Sequence, residues 1–254
     1  MNFLRVGFVV SLLAAAFSVS ASEEGQGDEA GQLRGIIRNL MDDNSAFAKT
    51  HKADYYKPFT DGQHPRATVV TCSDSRVHTH ALDQTPDGDL FMVRNIGNQI
   101  STAEGSVEYG VHHLHTPLLI IVGHSACGAI KAARGDFSKE SPAIKRELVT
   151  IKLPARNPKN DDAAEILRGI DGNVNNQVAY ALKKFSHEVA EGKLTVIGAI
   201  YDFRNDMQQG QGRLVITNVN GSTDSGNILA SLMKINGNGM KMDRKSSDKQ
   251  TAKH

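Results

Sequence analysis

A chain of 254 residues with 39% hydrophobic and 22% charged residues is long enough for one substantial core, or at most two small ones. Its 29 basic side chains against 28 acidic ones leave no broad field of either sign. That excludes an electrostatic case for nucleic acid or an anionic membrane surface and leaves small-molecule chemistry as the expectation.

At the N-terminus Arg5 precedes the apolar runs Val6 to Val10 and Leu12 to Phe17, and Ser18, Ser20 and Ala21 follow. Residues 1–21 read as a signal peptide cleaved near Ala21, because the apolar stretch is shorter than the roughly 20 residues that span a bilayer. The expected location is therefore outside the cytoplasm, in the periplasm, with no stable membrane span in the mature chain. Residues 22–31 are acidic and Gly-rich and predict a flexible leader. Leu33, Ile36, Ile37, Leu40 and Phe47 then recur at helical spacing, predicting an N-terminal helical arm suited to packing on a partner subunit.

Short apolar runs at Ala67–Thr71, Leu90–Val93, Leu118–Val122 and Leu194–Ile200 predict strands, with Leu214–Val219 as an edge strand. Gly105–His115 predicts a helix, and Ala163–Val189 one long helix or two. The alternation predicts an α/β fold with a mostly parallel central sheet flanked by helices. Pro142, Pro154 and Pro158 mark the stretch from Asp136 to Asn160 as an excursion off the sheet. The folded domain is expected over residues 32–236, and the polar, Lys-rich residues 237–254 predict a disordered tail.

Two motifs follow directly after strand candidates: Thr71-Cys72-Ser73-Asp74-Ser75-Arg76 and Gly123-His124-Ser125-Ala126-Cys127-Gly128. Two thiolates and one imidazole fill three corners of a zinc tetrahedron and leave the fourth for water, so Cys72, His124 and Cys127 read as the ligands of one catalytic Zn²⁺ per chain. An exported chain with two cysteines also suggests a Cys72–Cys127 disulfide. That pairing leaves His124 and the Asp-Ser-Arg run without a purpose. Asp74 is expected to orient the water, with the Arg76 fork holding Asp74 ionised. A second arrangement has Asp74 occupying the fourth metal position until Arg76 captures it. With two thiolates the metal site is nearly neutral, which predicts activity rising toward alkaline pH. His78, His80, His112, His113 and His115 read as solvated or capping side chains.

Cys-x-Asp-x-Arg followed by His-x-x-Cys, at the separation of Cys72 and His124, resembles the β-class carbonic anhydrases. Gly198-Ala199-Ile200-Tyr201-Asp202 is similar to that family's late strand. The resemblance implies reversible hydration of carbon dioxide to bicarbonate and a proton by zinc-bound hydroxide. It implies a substrate pocket with Gln63 as hydrogen-bond donor, Phe91, Ile96 and Tyr109 as apolar wall, and Gly128 beside the ligands. It also implies a homodimer or homotetramer, since in that family the pocket forms between subunits. The bicarbonate-regulated branch carries a Trp where this chain has Val69, and there is no Trp anywhere, so the open, plant-like branch is expected. The alternatives are a hydrolase of a related molecule such as carbon disulfide, a noncatalytic zinc or bicarbonate binder, and a Cys72–Cys127 redox couple.

Overall fold

The computed structural model of this protein describes residues 23–237, so the predicted signal peptide and nearly all of the predicted tail lie outside the described residues. The chain divides between Asp61 and Gly62 into two compact units.

The first unit holds α1 (Glu23–Thr50) and α2 (Ala53–Tyr56), then a tight helical turn at Lys57–Phe59. The stretch expected to be a flexible leader is thus helical from Glu23 onward. Extending an existing helix is far easier than nucleating one. Leu33, Ile36, Ile37, Leu40, Met41 and Phe47 all remain exposed. At the C-terminal end Phe47 stacks on His51 at 3.8 Å, and Tyr55 makes edge contacts with Tyr56 and Phe59.

The second unit is built on β1 (Ala67–Cys72), β2 (Leu90–Asn95), α3 (Glu104–Glu108), β3 (Leu118–His124), α4 (Gly128–Arg134), α5 (Pro142–Leu148), α6 (Asp162–Lys184), α7 (Ser186–Ala190), β4 (Thr195–Asp202), β5 (Arg213–Val219) and α8 (Ser225–Gly237). Strand order is β2-β1-β3-β4-β5; the first four are parallel and β5 is an antiparallel edge, as expected. Every residue of β1 is buried, which is why its Ala-Thr-Val-Val-Thr-Cys run shows no alternation: both faces of a parallel sheet are covered. The chain leaves β1 toward one edge and β3 toward the other. Their carboxyl ends therefore flank the crevice where ligand-binding groups collect in open α/β sheets.

One face of the sheet is covered by α6, whose Ile170, Val174, Val178 and Ala181 meet Leu119, Ile121, Val196 and Ile200 in the main core. Asp161 caps this helix by accepting from Ala164 N at 2.8 Å. Contact between α6 and β3 is close enough that a Cβ at Gly123 would lie 2.8 Å from Val174 Cγ2. Polar groups on α6 reach the loop after β2. Asn173 Oδ1 accepts from Gln99 Nε2 at 2.9 Å, and Gln177 Oε1 accepts from Ile100 N at 2.8 Å. The predicted excursion carries α5, capped by Ser141, and returns to the core through Leu148 and Ile151. The predicted helix at Gly105–His115 is α3 continued by a wider π turn at Tyr109–His113. Sequence reading missed α8, although Asp224 accepts from Asn227 N in the manner of an N-cap. No described helix is long and apolar enough to cross a membrane.

Candidate metal centre

Cys72 is the last residue of β1 and His124 the last of β3, while Cys127 immediately precedes α4. Parallel pairing of β1 with β3 brings the two strand ends together, and the Ser125-Ala126 turn folds Cys127 back beside them. The ligand atoms of the three side chains all lie within 4.8 Å of one another. They are 6%, 0% and 1% exposed, in that order. Both cysteines are free thiols.

The His124 ring is oriented by its Nδ1, which lies 3.0 Å from the carbonyl oxygen of Ser125. Nε2, on the other side, is buried without a hydrogen-bond partner. An orphaned nitrogen in a closed interior is costly unless something binds it. The two sulfurs respond to each other: the Cys127 thiol beside Cys72 pushes the latter down to about 4, against the opposing effect of burial and with further help from His124 and the Gly97 and Asp74 N–H groups. The Cys72 sulfur and burial push Cys127 well above the ordinary thiol range. Two sulfurs and a buried imidazole nitrogen converging on one point form a donor set that fits a tetrahedral metal.

Beside this cluster Arg76 grips Asp74 with two parallel bonds, Nε donating to Oδ1 at 2.9 Å and Nη2 to Oδ2 at 2.7 Å. Arg76 N donates a third, to Oδ1 at 3.0 Å. These bonds hold the Asp74 carboxyl well below the usual carboxylate range despite partial burial. Asp74 Oδ2 lies 3.9 Å from His124 Nε2. Here the carboxylate is in the captured arrangement, tied to Arg76. Arg94 on β2 supports the loop from below, donating to Cys72 O at 3.1 Å and Asp74 O at 2.8 Å.

Of the expected pocket residues, Phe91 and Tyr109 come together, with ring centroids 5.9 Å apart. Tyr109 is 44% and Ile96 37% exposed. Gln63 and Gly128 are also exposed. The π turn bearing Tyr109 sits tightly on β1, since a Cβ at Gly110 would overlap Thr68 Oγ1. Val69, where the regulated branch has Trp, is buried in a small cluster with Val77, Val122 and Tyr201. The exposed His112 pairs with Glu188 at 3.0 Å, consistent with a surface role.

Four residues of this centre escaped the sequence reading: Arg94, Ser125, Asp202 and Phe203. Phe203 lies under the Arg76 guanidinium, whose Cζ is 4.9 Å from the ring centroid, and its ring stacks beside His124 at 6.1 Å. Two of them lay within quoted motifs, Ser125 in the second motif and Asp202 at the end of the late-strand run, but neither motif gave them a role.

Residues 67–209 match the family model for carbonic anhydrase. A carbonic anhydrase of Synechococcus elongatus is 30% identical over 67% of this chain and 68% of its own length. One from Pseudomonas aeruginosa is 30% identical over 66% of this chain and 84% of its own. Among solved structures, a tetrameric β-carbonic anhydrase of the fungus Sordaria macrospora superimposes with a TM-score of 0.60 at 26% identity, covering 72% of this chain and 96% of that one. A Coccomyxa β-carbonic anhydrase solved with acetazolamide shares the fold, with a TM-score of 0.57 at 21% identity over 82% and 97% of the two chains.

Proposed function

The chain belongs to the carbonic anhydrases, in their β class, and from that premise we propose that it hydrates carbon dioxide at a single zinc ion held by Cys72, His124 and Cys127. Family and fold support carbon dioxide hydration. The observation that carries the metal assignment is the buried, partnerless Nε2 of His124 facing two thiol sulfurs.

Zinc held by Cys72, His124 and Cys127 would supply the Lewis acidity that makes water a nucleophile, increasingly so toward alkaline pH. The chain's own residues do the rest. Asp74, kept ionised by Arg76, accepts a hydrogen bond from the attacking water and orients its lone pair toward substrate. Arg76 is held in turn by Ala126 O, to which Nη2 donates at 3.3 Å, and by the Phe203 face, so the carboxylate stays where the water needs it. Phe91, Tyr109 and Ile96 offer the apolar surface a nonpolar gas prefers, and the Gln63 amide donates to a substrate oxygen. The proton released passes to buffer.

The exposure of Tyr109 and Ile96 supports a second copy of the chain completing this wall, in a homodimer or homotetramer. Buried Val69 in place of a Trp supports the open, unregulated branch. Export to the periplasm with removal of residues 1–21 is part of the same proposal, supported by the Arg5 and apolar-run pattern. Mass determination of the N-terminus from the secreting cell tests it.

The test of function is stopped-flow carbon dioxide hydration between about pH 6 and 9 with zinc quantified in the same sample. One zinc per chain, activity rising toward alkaline pH and a large loss in Asp74→Ala are the expected results. Stoichiometric zinc with no hydration at any pH would overturn the assignment in favour of the noncatalytic binder.

A further inference from the structure

Ser125 is wholly buried and is held from three directions. Its N–H donates to Tyr201 O at 3.1 Å, its hydroxyl donates to Asp202 Oδ1 at 2.6 Å, and its carbonyl oxygen meets His124 Nδ1 at 3.0 Å. Asp202, the last residue of β4, is itself wholly buried. Its carboxylate also accepts from Asp206 N at 2.9 Å and Met207 N at 2.7 Å, and its carbonyl accepts from Gly212 N at 2.7 Å. The carboxylate is thus anchored to the loop between β4 and β5 while it also accepts from Ser125. Burial alone would raise its pKa, yet the Ser125 hydroxyl and these N–H donors hold it below the usual range, so it is ionised.

We infer that Asp202, acting through Ser125, is a positioning residue for His124: it fixes the Ser125 peptide so that the carbonyl takes the Nδ1 proton and Nε2 is left as the bare, correctly aimed ligand nitrogen. Histidine ligands are commonly oriented by a carboxylate or carbonyl on their second nitrogen. In this chain the two devices are in series, a carboxylate holding a serine whose carbonyl holds the ring. The register explains the reach. His124 pairs with Tyr201 across β3 and β4, which sets Asp202 opposite Ser125 one step beyond the ladder. The same serine precedes Ala126, whose carbonyl receives Arg76, so releasing Ser125 would disturb the His124 ring and the Asp74 clamp together.

This inference rests on the three-ligand reading of the centre, and two measurements separate their fates. Nitrogen-detected NMR of the metal-free wild-type chain should show the His124 ring proton on Nδ1. A proton on Nε2 would overturn the positioning role without touching the ligand set. Zinc affinity is then measured by chelator competition on Ser125→Ala and Asp202→Asn, with cobalt(II) absorption as a geometric readout. Loss of an outer partner of this kind weakens metal binding by about 10- to 100-fold. That loss is expected in both variants, with a shifted cobalt spectrum and kcat reduced more than KM, while Ser125→Thr, which keeps the hydroxyl, restores affinity and spectrum. Unchanged zinc affinity and cobalt spectrum in both variants, even with lowered melting temperatures, would reduce the pair to scaffolding. A wild-type chain that binds no zinc would overturn the ligand reading itself, and is recognised before any variant is compared.

Discussion

Ala126 stands in the left-handed backbone region, at φ 51°, and its carbonyl accepts a hydrogen bond from Arg76 Nη2 at 3.3 Å. The loop that brings Cys127 back to His124 therefore also holds the guanidinium that grips Asp74.

A non-glycine residue in this conformation stores about 1–3 kcal/mol of strain. Ala126→Gly should relieve it, so folding stability should stay within about 1 kcal/mol of wild type once the greater freedom of the unfolded Gly chain is included. Ala126→Val, with a branched Cβ, should cost more than about 2 kcal/mol and lower kcat by displacing the carbonyl from Arg76. Urea unfolding of both variants with parallel kinetics checks this; a well-tolerated, fully active Val variant would refute it.

Arg76→Lys preserves charge but not the two-pronged grip, since an ammonium cannot match both carboxylate oxygens. We expect kcat to fall by about 100-fold, the lower end of a positioned acid–base contribution, with zinc content unchanged. The same pair governs acid stability. Because the folded pKa of Asp74 is depressed, its contribution is present above the unfolded value near 3.9 and is lost as pH falls further. Metal-free wild type should lose stability more steeply than metal-free Arg76→Ala below about pH 4. Parallel slopes for the two proteins would contradict the assignment.

Zinc loading near pH 7 should release fewer protons than two ordinary thiols would, because the pairing holds the Cys72 thiol below its ordinary range before the metal arrives. Two independent thiols of ordinary pKa would release nearly two. Calorimetry in buffers of different ionisation enthalpy gives the count directly. Removing zinc by chelation should lower the melting temperature in a zinc-concentration-dependent way, since the metal binds the folded state.

Gly110→Ala places a methyl against Thr68 Oγ1, which is bonded to Thr116 Oγ1 at 2.8 Å. Overpacking of this kind costs about 1–3 kcal/mol. The π turn should shift and carry Tyr109 with it, so KM for carbon dioxide should rise together with the loss of thermal stability. A stable variant with unaltered KM would show that the turn does not place Tyr109.

What could be read from the chain alone was local. Consecutive β-branched residues marked β1 and β3 because both faces of a parallel sheet are buried, and the residue types and spacing of Cys72, His124 and Cys127 marked a set that could hold a metal, which the fold brings within 4.8 Å. Asp74 and Arg76 were legible because their partnership spans two residues. The stripe on α1 was legible as a helix but not as an exposed one, since periodicity gives a face without saying what covers it. Tertiary structure alone decided the rest. Asp202 reaches Ser125 across 77 positions and Gln177 reaches Gln99 across 78, and no periodicity connects them. Phe203 comes under Arg76 because β4 lies beside β3 in the sheet order, and Arg94 reaches the Cys72 loop because β2 pairs with β1. Ligand identity is written in residue type and short spacing, whereas the groups that orient the ligands are chosen by strand order, which the chain acquires only on folding.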